Sequence, residues 1–149
     1  MTFSETGQRI VAGLIGAGQE APTDPAARLE WLWANPKKFG KHVTKRTRDG
    51  DIDSVADYAD KTFGVLAAAH HLTVVRPVSP TMHPTAKVQI VAAGWTVLLS
   101  EEGRIVTSYP FDPDQQQFEY RHRELGDTLH DYEIPQAYRA TLAQLFRLR

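Results

Sequence analysis

The sequence contains no cysteine, which excludes disulfide bonds, thiolate metal sites and a cysteine nucleophile. It also has no apolar run near the roughly 18 residues that a membrane-spanning helix needs. Its first residues, MTFSETGQ, lack a basic segment followed by an apolar one, so no signal peptide is predicted. We therefore expect a soluble, cytoplasmic protein with no membrane association.

Strong net charge is also lacking, since the formal value is only -1. Any basic cluster must therefore be offset by acidic residues elsewhere. The 149 residues are enough for one domain with a hydrophobic core, and 42% hydrophobic residues with 23% charged residues are ordinary for a globular protein. We expect a single domain that spans residues 1–149.

The apolar spacing changes from a helical to a strand period along the chain. Helices are predicted over residues 4–17, in a short segment that begins at Pro25, over residues 54–70, and after Pro135. Strands are predicted over 72–78, 87–99 and 104–109, with an irregular loop through Pro77, Pro80 and Pro84. Residues 115–124 are helical or irregular, and 129–134 form a short strand or a loop. The fold class is α+β, with N-terminal helices on a small antiparallel sheet and a closing C-terminal helix.

The helix predicted over 54–70 has the most regular apolar face. Val55, Tyr58, Phe63 and Leu66 lie on that face at helical spacing. Neither this helix nor the hairpin predicted over 87–99 and 104–109 can bury its apolar side alone. We therefore expect the helix to pack against the hairpin.

The basic stretch from Asn35 to Asp49, NPKKFGKHVTKRTRD, differs most from the rest of the chain. A small domain gains no stability from crowding like charges, so such a stretch is either a solvated surface or a site for an anion. Besides the imidazole of His42, it contains six cations: Lys37, Lys38, Lys41, Lys45, Arg46 and Arg48.

His42 is the first candidate for chemistry. The surrounding cations should lower its pKa and keep the imidazole neutral at pH 7. A neutral imidazole among cations suits a general base that acts on an anionic substrate. The cations would also stabilise the charge of a phosphorane-like transition state, as in a metal-independent ribonuclease. The alternative is that His42 is one polar residue on a solvated surface.

A second candidate pair lies on the strand predicted over 104–109. Alternation places Thr107 and Tyr109 on one face of that strand. The hydroxyl could hold a phosphate oxygen while the tyrosine ring stacks on a base. The alternative is cross-strand packing, because both residue types favour strands. The other histidines show no metal-ligand spacing and no glycine-rich phosphate loop occurs, so neither a metal nor a cofactor is expected.

The order of these motifs resembles the barnase/EndoU/colicin/RelE-like ribonuclease toxins, and most closely their colicin-D-like and contact-dependent-inhibition members. The resemblance covers about residues 36–110. It is carried by Phe39-Gly40-Lys41-His42, by Asp57-Tyr58-Ala59 on a following helix, and by a hairpin that turns through Gly103 into Arg-Ile-Val-Thr-Ser-Tyr. Toxin domains of this type pair a Lys/His segment with a later Thr or Ser that is followed by an aromatic residue.

The resemblance implies helices packed on a twisted antiparallel sheet and a tRNA-like RNA substrate. It implies that His42 is the base, that Lys41, Lys45 and Arg46 bind phosphate, and that Thr107 and Tyr109 contact the substrate. A cognate immunity or antitoxin protein is the partner that such a toxin would have. If this reading holds, the His42 ring should lie within roughly 10 Å of the Thr107 hydroxyl, with room for a phosphate between them.

Two other functions fit the same residues. The chain is alternatively a non-enzymatic phage or mobile-element accessory protein, which binds nucleic acid or an acidic protein through residues 37–48. It is otherwise a structural subunit whose basic stretch is plain solvated surface. Cleavage of RNA separates the endoribonuclease from both, and salt-sensitive binding without cleavage selects the accessory protein.

Overall fold

The structure is a computed structural model that describes residues 5–76, 86–114 and 117–147. Four helices come first: α1 (Glu5–Glu20), α2 (Pro25–Leu32), α3 (Pro36–Arg48) and α4 (Val55–Ala67). Four strands follow: β1 (His71–Arg76), β2 (Ala86–Ala92), β3 (Trp95–Ser100) and β4 (Ile105–Pro110). The described chain then forms α5 (Gln117–Glu124), β5 (Thr128–Glu133) and α6 (Gln136–Phe146). This order confirms the predicted α+β class.

A side-chain cap begins each of the helices α2, α3 and α4. Asp24 caps α2 by accepting from the Ala27 amide at 3.0 Å, and Asn35 caps α3 by accepting from the Lys37 amide at 3.1 Å. Each of these helices has proline in its first turn, where no amide hydrogen is needed. Ser54 caps α4 by accepting from the Asp57 amide at 3.0 Å.

The five strands form one antiparallel sheet in the order β4-β3-β2-β1-β5. The prediction of one long strand over residues 87–99 is wrong, because this segment forms two strands, β2 and β3, joined by a turn. Ala93 and Gly94 both have positive φ, at 53° and 74°, which is the conformation that a two-residue hairpin turn requires. The loop predicted through Pro77, Pro80 and Pro84 lies outside the described residues, as does residue 115.

The main core lies between the sheet and the helices. The prediction for α4 is confirmed: Tyr58, Phe63 and Leu66 are fully buried, whereas Val55 is only partly buried. Ser108 on β4 joins α4 to the sheet, because its hydroxyl lies 2.7 Å from that of Thr62. A smaller cluster joins α5 to the sheet on the opposite face and consists of Val75, Leu98 and Phe118. In the part of the chain that the structure describes, no helix is both long enough and apolar enough to cross a lipid bilayer.

Candidate anion-binding site between α3 and β4

The site is built where α3 meets the edge strand β4. The chain between α2 and α3 runs alongside that edge, with Trp33 in a parallel bridge to Ile105 and the Ala34 amide donating to the Ile105 carbonyl at 2.7 Å. The buried ring of Phe39 then anchors the first turn of α3 in the core. These contacts set the distance between the helix and the strand, and so the position of every side chain between them.

His42 and Thr107 meet directly across this junction. The imidazole Nδ1 of His42 lies 3.1 Å from the Thr107 hydroxyl oxygen, a hydrogen-bond distance. They are closer than the sequence predicted, and no phosphate fits between these two atoms. The nitrogen of His42 that is left for any ligand is therefore Nε2. Nε2 of His42 has no hydrogen-bond partner among the described residues, and it is not buried.

Trp33 holds the imidazole from a second direction. The two ring centroids are 5.1 Å apart at an interplanar angle of 59°, and Trp33 itself is 3% exposed. The indole packs in turn on Phe39, at 5.1 Å between centroids, and on Tyr58 at 5.9 Å. The His42 ring is therefore fixed by one hydrogen bond and by an aromatic wall. No motif around Trp33 in the sequence predicted this contact with His42.

The environment of His42 favours its neutral form. The pKa of His42 lies below its ordinary value, first because the ring is partly buried and then because Arg46, Lys38 and Lys45 disfavour a second positive charge nearby. The direction is the one predicted from the basic stretch, although burial is the larger cause. A neutral imidazole with one fixed and one accessible nitrogen is able to take a proton.

The cations of α3 divide into two groups. Lys37, Lys38, Lys41 and Lys45 have no acidic partner within the described residues, so their charge remains available to an anion. The two arginines are different. The guanidinium of Arg46 lies 2.9 Å from Asp51 and 3.8 Å from Asp49, and Nε of Arg48 lies 3.7 Å from Asp49.

The charge of Arg46 is thus largely compensated inside the protein. The pair with Asp51 was missed from sequence, although the acidic residues that follow the basic stretch were its visible signal. An open surface depression lies further around the helix and is lined by Gly40, Lys41, Thr44, Lys45 and Arg48.

Tyr109 follows Thr107 by two residues on β4, and its half-buried side chain packs against the cluster of Val75, Leu98 and Phe118. Burial raises the pKa of Tyr109 while the charge of Arg46 acts against that change. Its hydroxyl has no partner among the described residues and is not buried. Of the predicted residues, His42 and Thr107 are therefore in contact, Arg46 and Lys45 lie within electrostatic range of the imidazole, and Tyr109 is linked to them only through the charge of Arg46. Lys41 lies on the outward depression instead.

A family model described as "Uncharacterised protein aq_aa01" matches residues 24–148. The chain belongs to this family. The matched range begins at the cap of α2 and includes every residue of the site between α3 and β4. No curated protein and no solved structure matches the chain.

Two further observations concern the other titratable residues of this family member. No group of three or more His, Asp or Glu side chains in the described ranges is arranged to hold a metal ion. His122 is buried, and its Nδ1 lies 2.7 Å from a carboxylate oxygen of Asp127. The sequence held no signal for that pair beyond a separation of five residues.

Proposed function

We propose that this protein is a metal-independent endoribonuclease of the toxin type, acting in the cytoplasm on RNA, with tRNA as the expected substrate. The observation that supports it best is the state of His42. The pKa of its imidazole is lowered, its Nδ1 is held by Thr107, its Nε2 is not buried, and Lys38 and Lys45 lie within electrostatic range of the ring. A fixed base and uncompensated cations are what the cleavage of a phosphodiester by its own 2′-hydroxyl requires.

The proposed reaction needs one residue that takes a proton and one that donates a proton. With the Nδ1 hydrogen donated to Thr107, the lone pair of His42 is on Nε2 and takes the proton of the ribose 2′-hydroxyl. The 2′-oxygen then bonds to phosphorus, and the bond from phosphorus to the 5′-oxygen breaks. Lys45 supplies the proton to that leaving oxygen. The products are a 2′,3′-cyclic phosphate and a 5′-hydroxyl end.

The remaining residues have supporting parts in this proposal. Lys38 and Lys45 compensate the charge that grows on the non-bridging oxygens. The Tyr109 ring and hydroxyl contact the nucleotide beside the cleaved bond. Thr107 acts on the imidazole and not on the phosphate, which changes the part expected for it from the resemblance. Arg46 is held by Asp51 and serves to keep the α3 surface in place beside Tyr109.

A second candidate function is that of a binding protein without catalysis, such as a phage or mobile-element accessory protein. It is favoured by the four lysines of α3 that lack acidic partners in the described chain, since these alone suffice to bind a polyanion. It makes no use of the hydrogen bond between His42 and Thr107. Its partner would be nucleic acid or an acidic protein. For the toxin-like enzyme, a cognate immunity or antitoxin protein would be the partner.

One experiment separates the two functions. Total tRNA is incubated with the protein in EDTA, and new ends are tested for the 2′,3′-cyclic phosphate. We expect cleavage by the wild type, and a loss of roughly 10²–10⁴-fold in His42→Ala, because that is the usual contribution of a general base. His71→Ala is the matched control, since His71 is exposed on β1, away from this site. Intact tRNA with wild-type protein, together with salt-sensitive binding, would select the binding protein.

A further inference from the structure

Trp31 is an exposed aromatic residue that is held in place by two neighbours, Ala17 and Arg104. Its side chain is 44% exposed, although its indole N–H donates to the Ala17 carbonyl at 3.2 Å. The guanidinium of Arg104 lies 6.0 Å from the ring centroid and donates to the Trp31 carbonyl at 2.7 Å. A tryptophan with its polar group satisfied and its ring fixed presents a rigid apolar face to solvent.

The contacts of strand β4 and of Arg104 just before it place Trp31 relative to the His42 site. Arg104 contacts Trp31, the next residue Ile105 pairs with Trp33, and Thr107 meets His42. The exposed indole and the His42 imidazole therefore both lie near the β4 edge of the sheet. Arg104 precedes Thr107 by three residues, so their Cα atoms are at most roughly 10 Å apart, at about 3.3 Å per residue.

We propose that Trp31 and Arg104 form a stacking subsite for a nucleobase of single-stranded RNA, next to the phosphate that binds at His42. Unstacked bases bind to aromatic side chains and to guanidinium planes, and both are present here in one fixed arrangement. The nearby acidic residue Glu101 is paired with Arg9 at 3.1 Å, so its charge is compensated. The substrate class is then a single-stranded or looped segment, because a base inside a duplex cannot reach the indole.

This inference rests on the proposed function, and its test keeps the two apart. The probe is a fluorescein-labelled eight-nucleotide 2′-O-methyl RNA, which cannot be cleaved because its 2′-oxygen is blocked. Stacking contributes a factor of roughly 5 to 150 in affinity per base, so Trp31→Ala should weaken binding by that factor. Trp31→Phe should retain most of the affinity, and Tyr120→Ala, which removes another exposed aromatic residue, should change nothing. A 2′-O-methyl duplex should bind Trp31→Ala and wild type alike.

A second measurement uses only the wild-type protein and so does not depend on the folding of a variant. The same RNA with 4-thiouridine at one position is irradiated, and the cross-linked peptide is identified. We expect the peptide that contains Trp31 or Arg104. Cross-links confined to other peptides, or an affinity of Trp31→Ala within twofold of wild type, would overturn the proposed subsite. The exposed indole would then be assigned to a contact with another protein. Since cleavage is measured separately on tRNA, loss of the subsite and loss of the ribonuclease are distinct results.

Discussion

His42 and Thr107 are 65 residues apart in the sequence, and their side chains lie 3.1 Å apart in the structure. The hydrogen bond occupies Nδ1 and leaves Nε2 unburied, and Lys38 and Lys45 of α3 lie within electrostatic range of the ring. A surface histidine gains little from such an arrangement, whereas a general base needs it, because its accessible nitrogen must stay in one place. The predictions below follow from this pair and from the contacts that bring α3 to β4.

The first prediction concerns the part that Thr107 plays. Thr107→Val removes the hydroxyl at nearly constant shape, and a lost hydrogen bond of about 0.5–1.5 kcal/mol should lower kcat by roughly 2- to 12-fold. KM for RNA should stay unchanged, since Thr107 contacts the imidazole and not the substrate. Thr107→Ser keeps the hydroxyl and is the matched control. A raised KM with an unchanged kcat would instead make Thr107 a substrate contact.

The second prediction concerns pH. In the proposed reaction the base works in its neutral form, so log kcat/KM should rise with pH and level off above the pKa of His42, which lies below its ordinary 6.5. Lys38→Ala removes a charge that disfavours the imidazolium and keeps the proposed proton donor Lys45, so the inflection should move to higher pH. Lys37→Ala is the control, because Lys37 is not among the cations that lower this pKa.

The same depressed pKa affects stability with a definite sign. Below pH 6.5 the unfolded chain takes up the His42 proton before the folded protein does, so the free energy of unfolding falls as the pH falls. The stabilising contribution is present above 6.5 and is lost as the pH passes through the folded-state pKa. His42→Gln should remove this part of the slope in urea titrations at several pH values. An inflection of the rate above 6.5 in the wild type would contradict both arguments.

Sequence reasoning succeeded where a local pattern carried the information. The helical spacing in α4 indicated that helix directly, and the basic stretch indicated a candidate anion site, but no helix was predicted where α3 carries His42. It failed at the Ala93-Gly94 turn. Alanine rarely adopts a positive φ, so the sequence did not indicate a turn, and the strand-forming residues on both sides were predicted as one strand. The contact of Trp33 with His42 was missed for another reason, because it depends on how α3 lies against β4, which no local spacing encodes. The pair of Arg46 with Asp51 is local, five residues apart, but nothing in the spacing distinguished Asp51 from the other acidic residues that follow the basic stretch.

The third prediction tests the close approach of α1 to the turn between β3 and β4. A Cβ added at Gly13 would lie 2.2 Å from the Glu102 carbonyl oxygen, which neither backbone can accommodate without moving. We expect Gly13→Ala to lower the free energy of unfolding by about 1–3 kcal/mol, the usual cost of overpacking. Urea denaturation followed by circular dichroism measures it.

The matched control lies one turn along the same helix. A Cβ at Gly16 has no neighbour within 4 Å, so Gly16→Ala should be neutral or stabilising by up to about 1 kcal/mol through helix propensity alone. Equal effects of the two substitutions would mean that α1 does not lie against the turn. The comparison needs no knowledge of function, so it tests the fold independently of the site.

The last prediction uses salt to tell which cations of α3 meet RNA. Each lost phosphate contact should reduce the slope of log affinity against log salt by about 0.7 for a single strand. Lys41→Ala and Lys45→Ala should each flatten the slope by that amount, because neither lysine has an acidic partner in the described chain. Arg46→Ala should change it less, since its guanidinium already lies 2.9 Å from Asp51. Lys61→Ala is the control, because Lys61 is paired with Asp57 at 2.9 Å on α4.

The change of the salt slope in these three variants tests which phosphate-binding residues, among those that the resemblance to ribonuclease toxins implies, this chain uses. The resemblance implied that Lys41, Lys45 and Arg46 all bind phosphate, whereas the ion pairs of the structure favour the two lysines. A slope that falls equally in all three variants would mean that RNA displaces Asp51 and recruits Arg46 on binding. A slope that stays at its wild-type value in the two lysine variants would remove α3 from the RNA surface. The hydrogen bond between His42 and Thr107 would then have to be explained without an anion.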